Sequence, residues 1–565
     1  MDECWNKGKA FRKWRVMLIL LILLGFGSFL RLWNLGVPSF WVDEVNGLYA
    51  AKSWNEVGNF ALPSGYHYNR APIYTYATGL LFRLFGISES STRLTSVIFG
   101  ILSILLAYQL GKKVFNERAG LLTAFFMAFS HFEVGWSRTA RMYTLLQFLT
   151  LVFIFLFIKG FESDYEKDRL LERTQGKFVL LKIRAFLHRW GVAPLWLIVG
   201  FIVFYIAYFH VHYLAIFLFG GLFLYLVTMT LSTFVSGEDS NRVLNKYSLV
   251  VLITIVVSVI FWFTYPSSKQ EMSYFLSLTP PWAGGASSAQ NRFFLFEFLI
   301  GMERFPLAAF FFVGSVQIIS RKHKLGWIPL WIFLCPVFFL SFVFTHRVPT
   351  YLLYVYPFFL MIAAFGFINI LENEALIMNR DRLRRRRWLK RGVVCLFLSI
   401  FIFSPWLRIT LHIPFFEDGM TNLAVTPSEW REASKIVTQQ RQEGELIITS
   451  LPQVALYYGI HSDYSLNWSG LAQSKKEKFF NESGRSIDVY AGVVCIESLD
   501  ELKEVINDNP RGWIVLSDYH LHHLNYTPED VRDFILKHFP EPVKTKNGTV
   551  LVYHWPDHQG EDSEL

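Results

Sequence analysis

The first long apolar run of this chain is Met17-Leu-Ile-Leu-Leu-Ile-Leu-Leu-Gly-Phe-Gly-Ser-Phe-Leu30, which only two glycines and one serine interrupt. A membrane helix needs ~20 apolar residues, so we predict a span over 16–33. After Arg31, the next ionisable residues are two adjacent carboxylates in the aromatic stretch Phe40-Trp-Val-Asp-Glu44. A carboxylate at the mouth of a membrane helix must be solvated, ion-paired or used in chemistry. These two carboxylates are therefore the first candidates for a functional site.

The composition of the whole chain is that of a polytopic α-helical membrane protein. Of its 565 residues, 53% are hydrophobic, 18% are aromatic and only 18% are charged, whereas soluble domains carry more charge and fewer aromatic residues. The four cysteines form neither a disulfide framework nor a metal-binding spacing. About eleven runs are long enough to cross a bilayer. We predict spans at 16–33, 91–111, 119–136, 142–159, 194–210, 212–233, 247–264, 303–320, 327–345, 350–371 and 393–411.

Basic residues are concentrated in alternate loops, and the positive-inside rule then gives one consistent topology. The cytoplasmic groups are Lys7 to Arg15, Lys112 to Arg118, 160–193, Arg242 to Lys246, Arg321 to Lys324, and Arg380 to Arg391. We interpret the last group as an anchor on anionic lipid rather than a nucleic-acid site. The outer, extracytoplasmic face receives 43–44, 137–141, 210–212, 265–302, 345–350 and everything after 412. The expected location is the plasma membrane, and the sequence leaves bacterial, archaeal and organelle membranes open as alternatives.

Residues 72–86 are too short and too aromatic for a span, and they carry Arg83. We predict an outer interfacial helix there. If this segment crossed the bilayer, every later loop would change sides and the run from Arg380 to Arg391 would face outwards.

From about residue 421 the composition becomes that of a soluble domain. We predict helices at 427–442, 498–507 and 528–539, and strands at 445–450, 454–458, 488–494, 512–517 and 549–555. Strands that alternate with helices indicate a small α/β domain. No glycine-rich phosphate fingerprint accompanies it, so a nucleotide site is not expected. The predicted divisions are a basic N-terminus (1–15), a transmembrane domain (16–412) and an extracytoplasmic α/β domain (421–565).

The outer loops bring one set of residue types to one face. The set comprises the carboxylate Asp43, the cations Arg70, Arg138, Arg141 and Arg347, and the tyrosines Tyr143, Tyr351 and Tyr354. A transferase that uses a lipid-phosphate sugar needs these types. A carboxylate takes the proton from an acceptor hydroxyl, and guanidinium groups stabilise the departing phosphate.

Simpler interpretations exist for each feature. An Asp-Glu pair after a membrane helix is often a solvated loop or a helix cap, and a lone Arg at a helix mouth often reaches to the interface. His210 and His212 flank a tight outer turn, but no matched partners make them metal ligands. The segment Pro280 to Ser288 could be a lid over the site or only a linker.

The order of short motifs in the first 370 residues resembles the GT-C class of membrane glycosyltransferases. Within that class it is most similar to the protein O-mannosyltransferase and aminoarabinose-transferase group (glycosyltransferase families 39 and 83). The motifs are Trp41-Val-Asp-Glu44, Asn69-Arg-Ala-Pro72, Tyr74-Thr-Tyr-Ala-Thr-Gly-Leu-Leu-Phe-Arg-Leu-Phe-Gly86, Ser91-Thr-Arg-Leu94, Gly111-Lys-Lys-Val-Phe115, Arg118-Ala-Gly-Leu-Leu122, Trp136-Ser-Arg-Thr-Ala-Arg-Met-Tyr-Thr-Leu145 and His346-Arg-Val-Pro-Thr-Tyr-Leu-Leu-Tyr-Val-Tyr-Pro357.

The resemblance implies a GT-C fold and sugar transfer from a polyprenyl-phosphate donor. It assigns Asp43 as the catalytic carboxylate with Glu44 as its neighbour. It also implies donor-site roles for the cations Arg138, Arg141 and Arg347 and for Tyr351. The chain departs from the group in two places. The segment Arg138-Thr-Ala-Arg141 stands where Gln-Glu-Ala-Arg or a similar acidic version is frequent. Ala71 stands where His or Lys is frequent, with the cation Arg70 one residue earlier.

We therefore expect a membrane glycosyltransferase that transfers mannose or another hexose or pentose with inversion. The acceptor is a protein, a lipid or a glycan, and neither sugar nor acceptor follows from the sequence. No metal is expected to be obligatory, although a divalent cation remains an open alternative. The competing hypotheses are a transporter or flippase for a lipid-linked substrate and a noncatalytic receptor. Nucleic acid is not an expected partner.

Overall fold

The computed structural model describes most of the chain. Its described residues are 2–162, 192–236, 245–264, 304–342, 349–377, 429–466, 480–522, 526–539 and 541–555, with a few more at 298–299 and between 392 and 410. The predicted lid or linker at 280–288, the basic run from Arg380 to Arg391 and the candidate Arg347 lie outside them.

The membrane domain is built from helices. They are α1 (Asp2–Leu32), α2 (Val42–Val57), α3 (Pro72–Phe85), α4 (Glu89–Val114), α5 (Glu117–Phe129), α6 (His131–Ser137), α7 (Tyr143–Phe161), α8 (Pro194–His210), α9 (Ile216–Ser236), α10 (Lys246–Thr264), α11 (Arg304–Ser320), α12 (Trp327–Phe342) and α13 (Tyr356–Ile377). Short 3-10 helices at Tyr213–Ala215, Lys324–Gly326 and Pro349–Val355 lead into α9, α12 and α13.

Several of these helices are long and apolar enough to cross a bilayer. Within the described residues the candidate spans are Ala10–Leu32, Glu89–Val114, Tyr143–Phe161, Tyr213–Val235, Lys324–Phe342 and Pro349–Glu372, with shorter apolar helices at Pro194–His210, Lys246–Val256 and Arg304–Ser320. The predicted multi-pass membrane protein is confirmed. The predicted number of about eleven spans stays a prediction, because 393–411 is described only in part.

One predicted span is interrupted. The run at 119–136 breaks at Ser130 into α5 and α6, because Ser130 leaves the helical conformation with φ −58° and ψ 126°. Its hydroxyl accepts the backbone N–H of Glu133 at 3.3 Å, which caps the new helix. The prediction of one continuous helix was therefore wrong, since hydropathy does not register a capping serine. The break turns the chain towards the segment that carries Arg138 and Arg141.

The centre of the membrane domain is α13. The candidate span that contains it, Pro349–Glu372, is 94% buried inside the protein. Its apolar side chains therefore pack mainly against other helices rather than against lipid. It packs closely on α11 through glycine. A Cβ on Gly366 would lie 2.1 Å from the carbonyl oxygen of Phe310, and only glycine permits that approach.

The C-terminal domain contains a mixed six-stranded sheet among the described residues. The strands are β1 (Leu446–Thr449), β2 (Tyr464–Ser465), β3 (Val494–Cys495), β4 (Gly512–Ser517), β5 (Val543–Lys544) and β6 (Val550–Trp555). Their order is β3-β2-β1-β4-β6-β5, parallel from β3 to β4 and antiparallel at β6 and β5. The helices are α14 (Trp430–Gln440), α15 (Pro452–Tyr457), α16 (Leu499–Asp508), α17 (Asp518–His522) and α18 (Glu529–His538). The predicted α/β domain is confirmed.

Two strand predictions in this domain were wrong. The apolar run at 454–458 forms helix α15, which Pro452 begins at its first turn; short apolar runs do not distinguish a strand from a buried helix. In 488–494 only Val494 joins a strand. The residues before it form a turn around Asp488, whose carboxylate accepts the backbone N–H groups of Tyr490 and Ala491.

The C-terminal domain packs directly on α2. Val45, Leu48 and Ala51 of α2 share one buried apolar cluster with Trp430, Val454 and other residues of the C-terminal domain. At the edge of this cluster, Arg431 forms an ion pair with Glu89, the first residue of α4. The helix that begins with the Asp-Glu pair is thus fixed between the membrane helices and the sheet domain.

Candidate active site

Glu44 is buried and fully engaged. Arg93 of α4 donates to both of its oxygens, from Nε to Oε1 at 2.9 Å and from Nη2 to Oε2 at 2.8 Å. Glu44 also accepts the backbone N–H of Ala140 at 2.7 Å and that of Trp41 at 3.1 Å. Both side chains of the ion pair are only 3% exposed. Glu44 therefore ties the start of α2 to α4 and to the segment before α7.

Asp43 lies beside Glu44 in the first turn of α2 but in a different environment. Its Oδ2 pairs with Nη2 of Arg141 at 3.1 Å, and its side chain is 24% exposed, against 7% for Arg141. Arg141 in turn contacts the rings of Trp41 and Tyr143, with its Cζ 5.7 and 5.9 Å from their centroids. A solvent-accessible carboxylate thus stands beside a buried guanidinium group.

Arg141 is held in place from several sides. Its backbone carbonyl accepts the hydroxyl of Ser96, which is itself hydrogen-bonded to Tyr74 of α3. Its Nη1 lies 3.5 Å from the hydroxyl oxygen of Tyr68. Burial opposes the charge of Arg141, but the neighbouring carboxylate of Asp43 outweighs it and raises the pKa of the guanidinium. Arg141 therefore remains a fixed cation.

Arg70 is a second cation near Asp43. It is exposed; its backbone carbonyl oxygen accepts the hydroxyl of Thr75 at 3.4 Å, but its guanidinium makes no hydrogen bond or ion pair with any residue of the described ranges. Desolvation lowers the pKa of its guanidinium, and the positive charge of Arg141 lowers it further. The carboxylate of Asp43 more than offsets both effects, so the pKa is raised. Arg70 is thus available to an incoming anion.

His212 lies close to these arginines. Burial, and then the charges of Arg141 and Arg70, lower the pKa of His212 to about 3, so its imidazole is neutral. Its Nδ1 accepts the backbone N–H of Leu214 at 3.2 Å, which assigns the ring proton to Nε2. The ring centroids of Tyr143 and Tyr351 are 5.8 and 5.9 Å from that of His212. An aromatic patch with one fixed N–H donor results.

Not every predicted residue joins this group. Arg138 points to the end of α1, where its guanidinium donates to the carbonyl oxygens of Leu30, Arg31, Trp33 and Asn34 at 2.7–3.2 Å. These carbonyls lie at and just beyond the C-terminus of α1, which favours a cation. Burial, and then the charges of Arg93 and Arg31, lower the pKa of Arg138 to about 10. Tyr354 is buried in the core.

The C-terminal domain contributes two tyrosines near Asp43. Burial raises the pKa of Tyr490 to about 12; Arg70 opposes this shift and Asp43 adds to it. Burial also raises the pKa of Tyr526 to about 12, with smaller contributions from Tyr519 and Asp43. The carboxylate therefore pairs with arginine of the membrane domain and lies within electrostatic reach of two phenols of the sheet domain.

Metal ligands are not gathered at this site. In the part of the chain that the structure describes, no group of three or more His, Cys, Asp or Glu side chains is arranged to hold a metal ion. His212 caps the 3-10 helix that follows it, as given above, and His210 ends α8. The arrangement consists of a partly exposed carboxylate, two cations and one neutral donor. Such a set can accept a proton and bind a phosphate.

Two comparisons with known sequences match parts of the chain. A family model described as dolichyl-phosphate-mannose-protein mannosyltransferase matches residues 69–171. An uncharacterized protein from Aquifex aeolicus (strain VF5) is 28% identical over 177 residues, which is 30% of this chain and 41% of that relative. The chain thus matches less than half the length of that relative.

Solved structures match over nearly the whole chain. ArnT from Cupriavidus metallidurans in the apo state superposes with a TM-score of 0.55 at 15% identity, covering 96% of this chain and 98% of that one. The chain has the GT-C fold. ArnT bound to undecaprenyl phosphate gives a TM-score of 0.54 at 14% identity, with coverage of 94% and 97%. The archaeal oligosaccharyltransferase AglB from Archaeoglobus fulgidus, in complex with an inhibitory peptide and a dolichol-phosphate, gives 0.50 at 12%, with coverage of 98% and 75%.

Sequence reasoning missed several residues of this candidate site. Arg93 lies within the quoted motif Ser91-Thr-Arg-Leu94, so a signal existed, but nothing in it indicated a buried partner for Glu44. Tyr68 and Tyr490 belong to loops with no distinctive pattern. His212 was considered only as a metal ligand, whereas its position beside Arg141 depends on the packing of α7 and α8.

Proposed function

We propose that this protein is a membrane glycosyltransferase that takes a sugar from a polyprenyl-phosphate donor. The observation that carries the proposal is the partly exposed carboxylate of Asp43, paired with the buried Arg141 at 3.1 Å. Arg70 stands nearby with its guanidinium free of hydrogen bonds to any described residue. A base next to two phosphate-binding cations is what transfer from a lipid phosphate requires.

The proposed reaction is a single displacement with inversion. The acceptor hydroxyl gives its proton to Asp43 as its oxygen forms a bond with the anomeric carbon of the sugar. The bond between that carbon and the phosphate oxygen breaks, and its electron pair leaves with the phosphate. Arg141 and Arg70 stabilise the charge on the leaving group, and the Nε2–H of His212 is a further donor for a phosphate oxygen. Arg347 and Tyr351 remain proposed donor-site residues.

Glu44 and Arg138 have different proposed roles. Glu44 has both oxygens engaged with Arg93 and backbone N–H groups, so we assign it to positioning Asp43 and Arg141 rather than to proton transfer. Arg138 is committed to the end of α1, so we assign it to holding that helix against the site. Neither role depends on the identity of the sugar.

Other proteins with this fold support a lipid-linked donor. One ArnT structure contains undecaprenyl phosphate, and the AglB structure contains a dolichol-phosphate and a peptide. The matching family model is named for a dolichyl-phosphate-mannose donor and a protein acceptor. We extend only the donor class to this chain. Which sugar, and whether the acceptor is protein, lipid or glycan, are questions for the experiment below.

The location and cofactor use are also proposals. The positive-inside pattern supports a plasma-membrane protein with the site and the C-terminal domain on the extracytoplasmic face. We propose that no metal is obligatory, because arginine side chains can neutralise a monophosphate leaving group. Addition of a chelator should leave the initial rate unchanged, and a loss restored by a divalent cation would contradict this.

The decisive test is release of polyprenyl phosphate from a panel of radiolabelled polyprenyl-phosphate sugars, with membrane extract as acceptor. Purified wild type, Asp43→Asn and the control Glu56→Gln would be compared; Glu56 lies on the same helix, paired with Lys52 at the surface. Release by wild type and Glu56→Gln but not by Asp43→Asn would support the proposal and name the sugar. Normal release by Asp43→Asn would refute the mechanism. No release, with labelled lipid crossing a vesicle bilayer, would favour a flippase.

A further inference from the structure

A turn of the C-terminal domain is docked on a hairpin of the membrane domain, next to the candidate site. The hairpin connects α2 to α3: the backbone N–H of Tyr68 donates to Phe60 at 2.7 Å, and that of Leu62 donates to Tyr66 at 2.9 Å. At its tip, the hydroxyl of Ser64 donates to the carbonyl oxygen of Val489 at 2.5 Å. The backbone N–H of Ser64 also donates to the carbonyl oxygen of Tyr490 at 3.3 Å. The two segments therefore meet backbone to backbone.

The docked turn, Asp488–Gly492, has a rigid internal structure. The carboxylate of Asp488 accepts the backbone N–H groups of Tyr490 and Ala491 at 3.0 and 2.7 Å. The backbone carbonyl oxygen of Asp488 accepts the backbone N–H of Gly492 at 2.8 Å. Gly492 has φ +76°, and a Cβ there would lie 3.1 Å from the Cα of Ser64. Both the backbone conformation and the close approach to Ser64 therefore require glycine.

This turn places the side chain of Tyr490 against the site. Tyr490 packs in one aromatic cluster with Tyr66 and Tyr68 of the hairpin. The hydroxyl of Tyr68 meets Arg141 at 3.5 Å, and Arg141 pairs with Asp43 at 3.1 Å. Arg70 follows Tyr68 by two residues. Tyr490 thus lies two side chains away from the carboxylate, on the side occupied by the sheet domain.

The two sides of Asp43 differ in what they can bind. Arg141, Tyr143, His212 and Tyr351 come from segments at the ends of the apolar helices, where the phosphate of a lipid whose tail lies in the bilayer would arrive. Tyr490 comes from the domain that follows all of the described spans. A hydroxyl acceptor that approaches Asp43 from the sheet domain would meet it.

We propose that the turn Asp488–Gly492 forms the acceptor side of the active site, with the Tyr490 side chain contacting the hydroxyl-bearing acceptor and the docked hairpin holding Tyr68 and Arg70 in register. This rests on the proposed function. It gives the C-terminal domain a direct part in the reaction, whereas a role as an independent appendage would require no contact with the site.

Steady-state transfer by the full-length protein in lipid nanodiscs tests the acceptor role. In one series the donor is titrated at a fixed amount of membrane extract. In the other, the extract is titrated at a fixed donor concentration, either whole or separated into delipidated protein and lipid fractions. Tyr490→Ala should raise the half-saturating amount of extract about tenfold and change that of the donor by less than about twofold. Tyr490→Phe separates the hydroxyl from the ring. If Tyr490→Ala raised the half-saturating amount of donor and left that of the extract unchanged, Tyr490 would belong to the donor side and the proposal would be overturned. Kinetics like those of wild type would also overturn it.

A glycine pair tests the docking itself. Gly484 and Gly492 have nearly the same φ, +77° and +76°, but a Cβ on Gly484 meets nothing within 4 Å. Gly492→Ala should lower transfer and increase hydrogen exchange across residues 60–68, whereas the control Gly484→Ala should do neither. Equal effects of both substitutions would refute a specific docked turn. If wild type releases no polyprenyl phosphate, the proposed function fails and the acceptor role with it, but hydrogen exchange still reports the docking.

Discussion

Two adjacent carboxylates at the start of α2 belong to two different regions of the molecule. The Glu44 side contains Arg93 and the backbone of the segment before α7, and it is closed: both charged groups are 3% exposed and both oxygens are in use. The Asp43 side contains Arg141, Arg70 and His212, and it is open: Asp43 is 24% exposed. Each carboxylate pairs with an arginine, yet only the second pair can meet a substrate.

This difference shows how one dipeptide can provide both structure and chemistry. Successive residues of a helix point in different directions, so Glu44 enters the helix packing while Asp43 remains at its edge. A buried ion pair with all hydrogen bonds satisfied fixes geometry but cannot exchange protons readily. The closed region therefore holds the open one in place, through the hydrogen bond from Ala140, one residue before Arg141.

The largest expected effect is that of Asp43→Asn on turnover. The amide has nearly the same shape but cannot accept the acceptor proton, so we expect the rate of transfer to fall by ~10³-fold or more. The thermal unfolding temperature should change little, because Asp43 is partly exposed. Single-turnover rates and thermal unfolding of the same samples measure both quantities. A large loss of stability without a specific loss of rate would make Asp43 structural.

Glu44→Gln should have the opposite effect, lowering the stability strongly and the rate of transfer per folded molecule little. It leaves the guanidinium of Arg93 buried without its counter-charge, and breaking a buried pair in this way costs about 3–5 kcal/mol. We therefore expect a lower yield and a clearly lower unfolding temperature in detergent. Any loss of rate should follow the fraction of unfolded protein. A fully stable but inactive Glu44→Gln would assign Glu44 to the chemistry instead.

Arg141→Lys should weaken donor binding without abolishing turnover. Lysine keeps the charge but loses the planar group that can bind phosphate with two hydrogen bonds, so the KM for donor should rise roughly tenfold. Binding of labelled polyprenyl phosphate to Arg141→Lys, alone and combined with Asp43→Asn, separates the effect on phosphate binding from the effect on proton transfer. An unchanged donor KM would remove Arg141 from the phosphate site.

Arg138→Ala should affect stability only. The substitution removes the cation from the C-terminus of α1, which costs on the order of 1 kcal/mol. Thermal unfolding should show this loss while the donor KM remains that of wild type. A donor KM raised as much as in Arg141→Lys would show that Arg138 also contacts the phosphate.

The smallest expected effect concerns Asp488 and pH. Burial raises the pKa of its carboxyl to about 6, although the backbone N–H groups of Ala491 and Tyr490 oppose the shift. A carboxyl whose pKa is higher in the folded state stabilises the fold below its unfolded pKa, and this contribution is lost as the pH rises through about 6. Asp488→Asn keeps an acceptor for both N–H groups without the charge. The variant should therefore be more stable than wild type above about pH 6, with no difference expected under acidic conditions. Unfolding temperatures of both proteins measured across this pH range test this, and a stability difference that does not change with pH would contradict it.

Much of the architecture was predictable from local sequence. Long apolar runs predicted the spans, because a helix in a bilayer needs length and apolarity and little else. Alternating short patterns predicted β1, β4 and β6 and the helices α14, α16 and α18. The predictions that failed, at Ser130 and at 454–458, are places where a single capping hydroxyl or a proline outweighs hydropathy.

The sequence by itself determined that this is a multi-pass membrane protein with a C-terminal α/β domain and with carboxylate and arginine side chains in the loops between its helices. Only the tertiary structure decided which of them act together. Arg93 lies 49 residues from Glu44, and Arg141 lies 98 residues from Asp43. The strength of an ion pair depends on distance and burial, and neither can be read from residues so far apart in the chain. Arg138 and Arg141 therefore look alike in sequence, yet one caps a helix while the other faces the carboxylate.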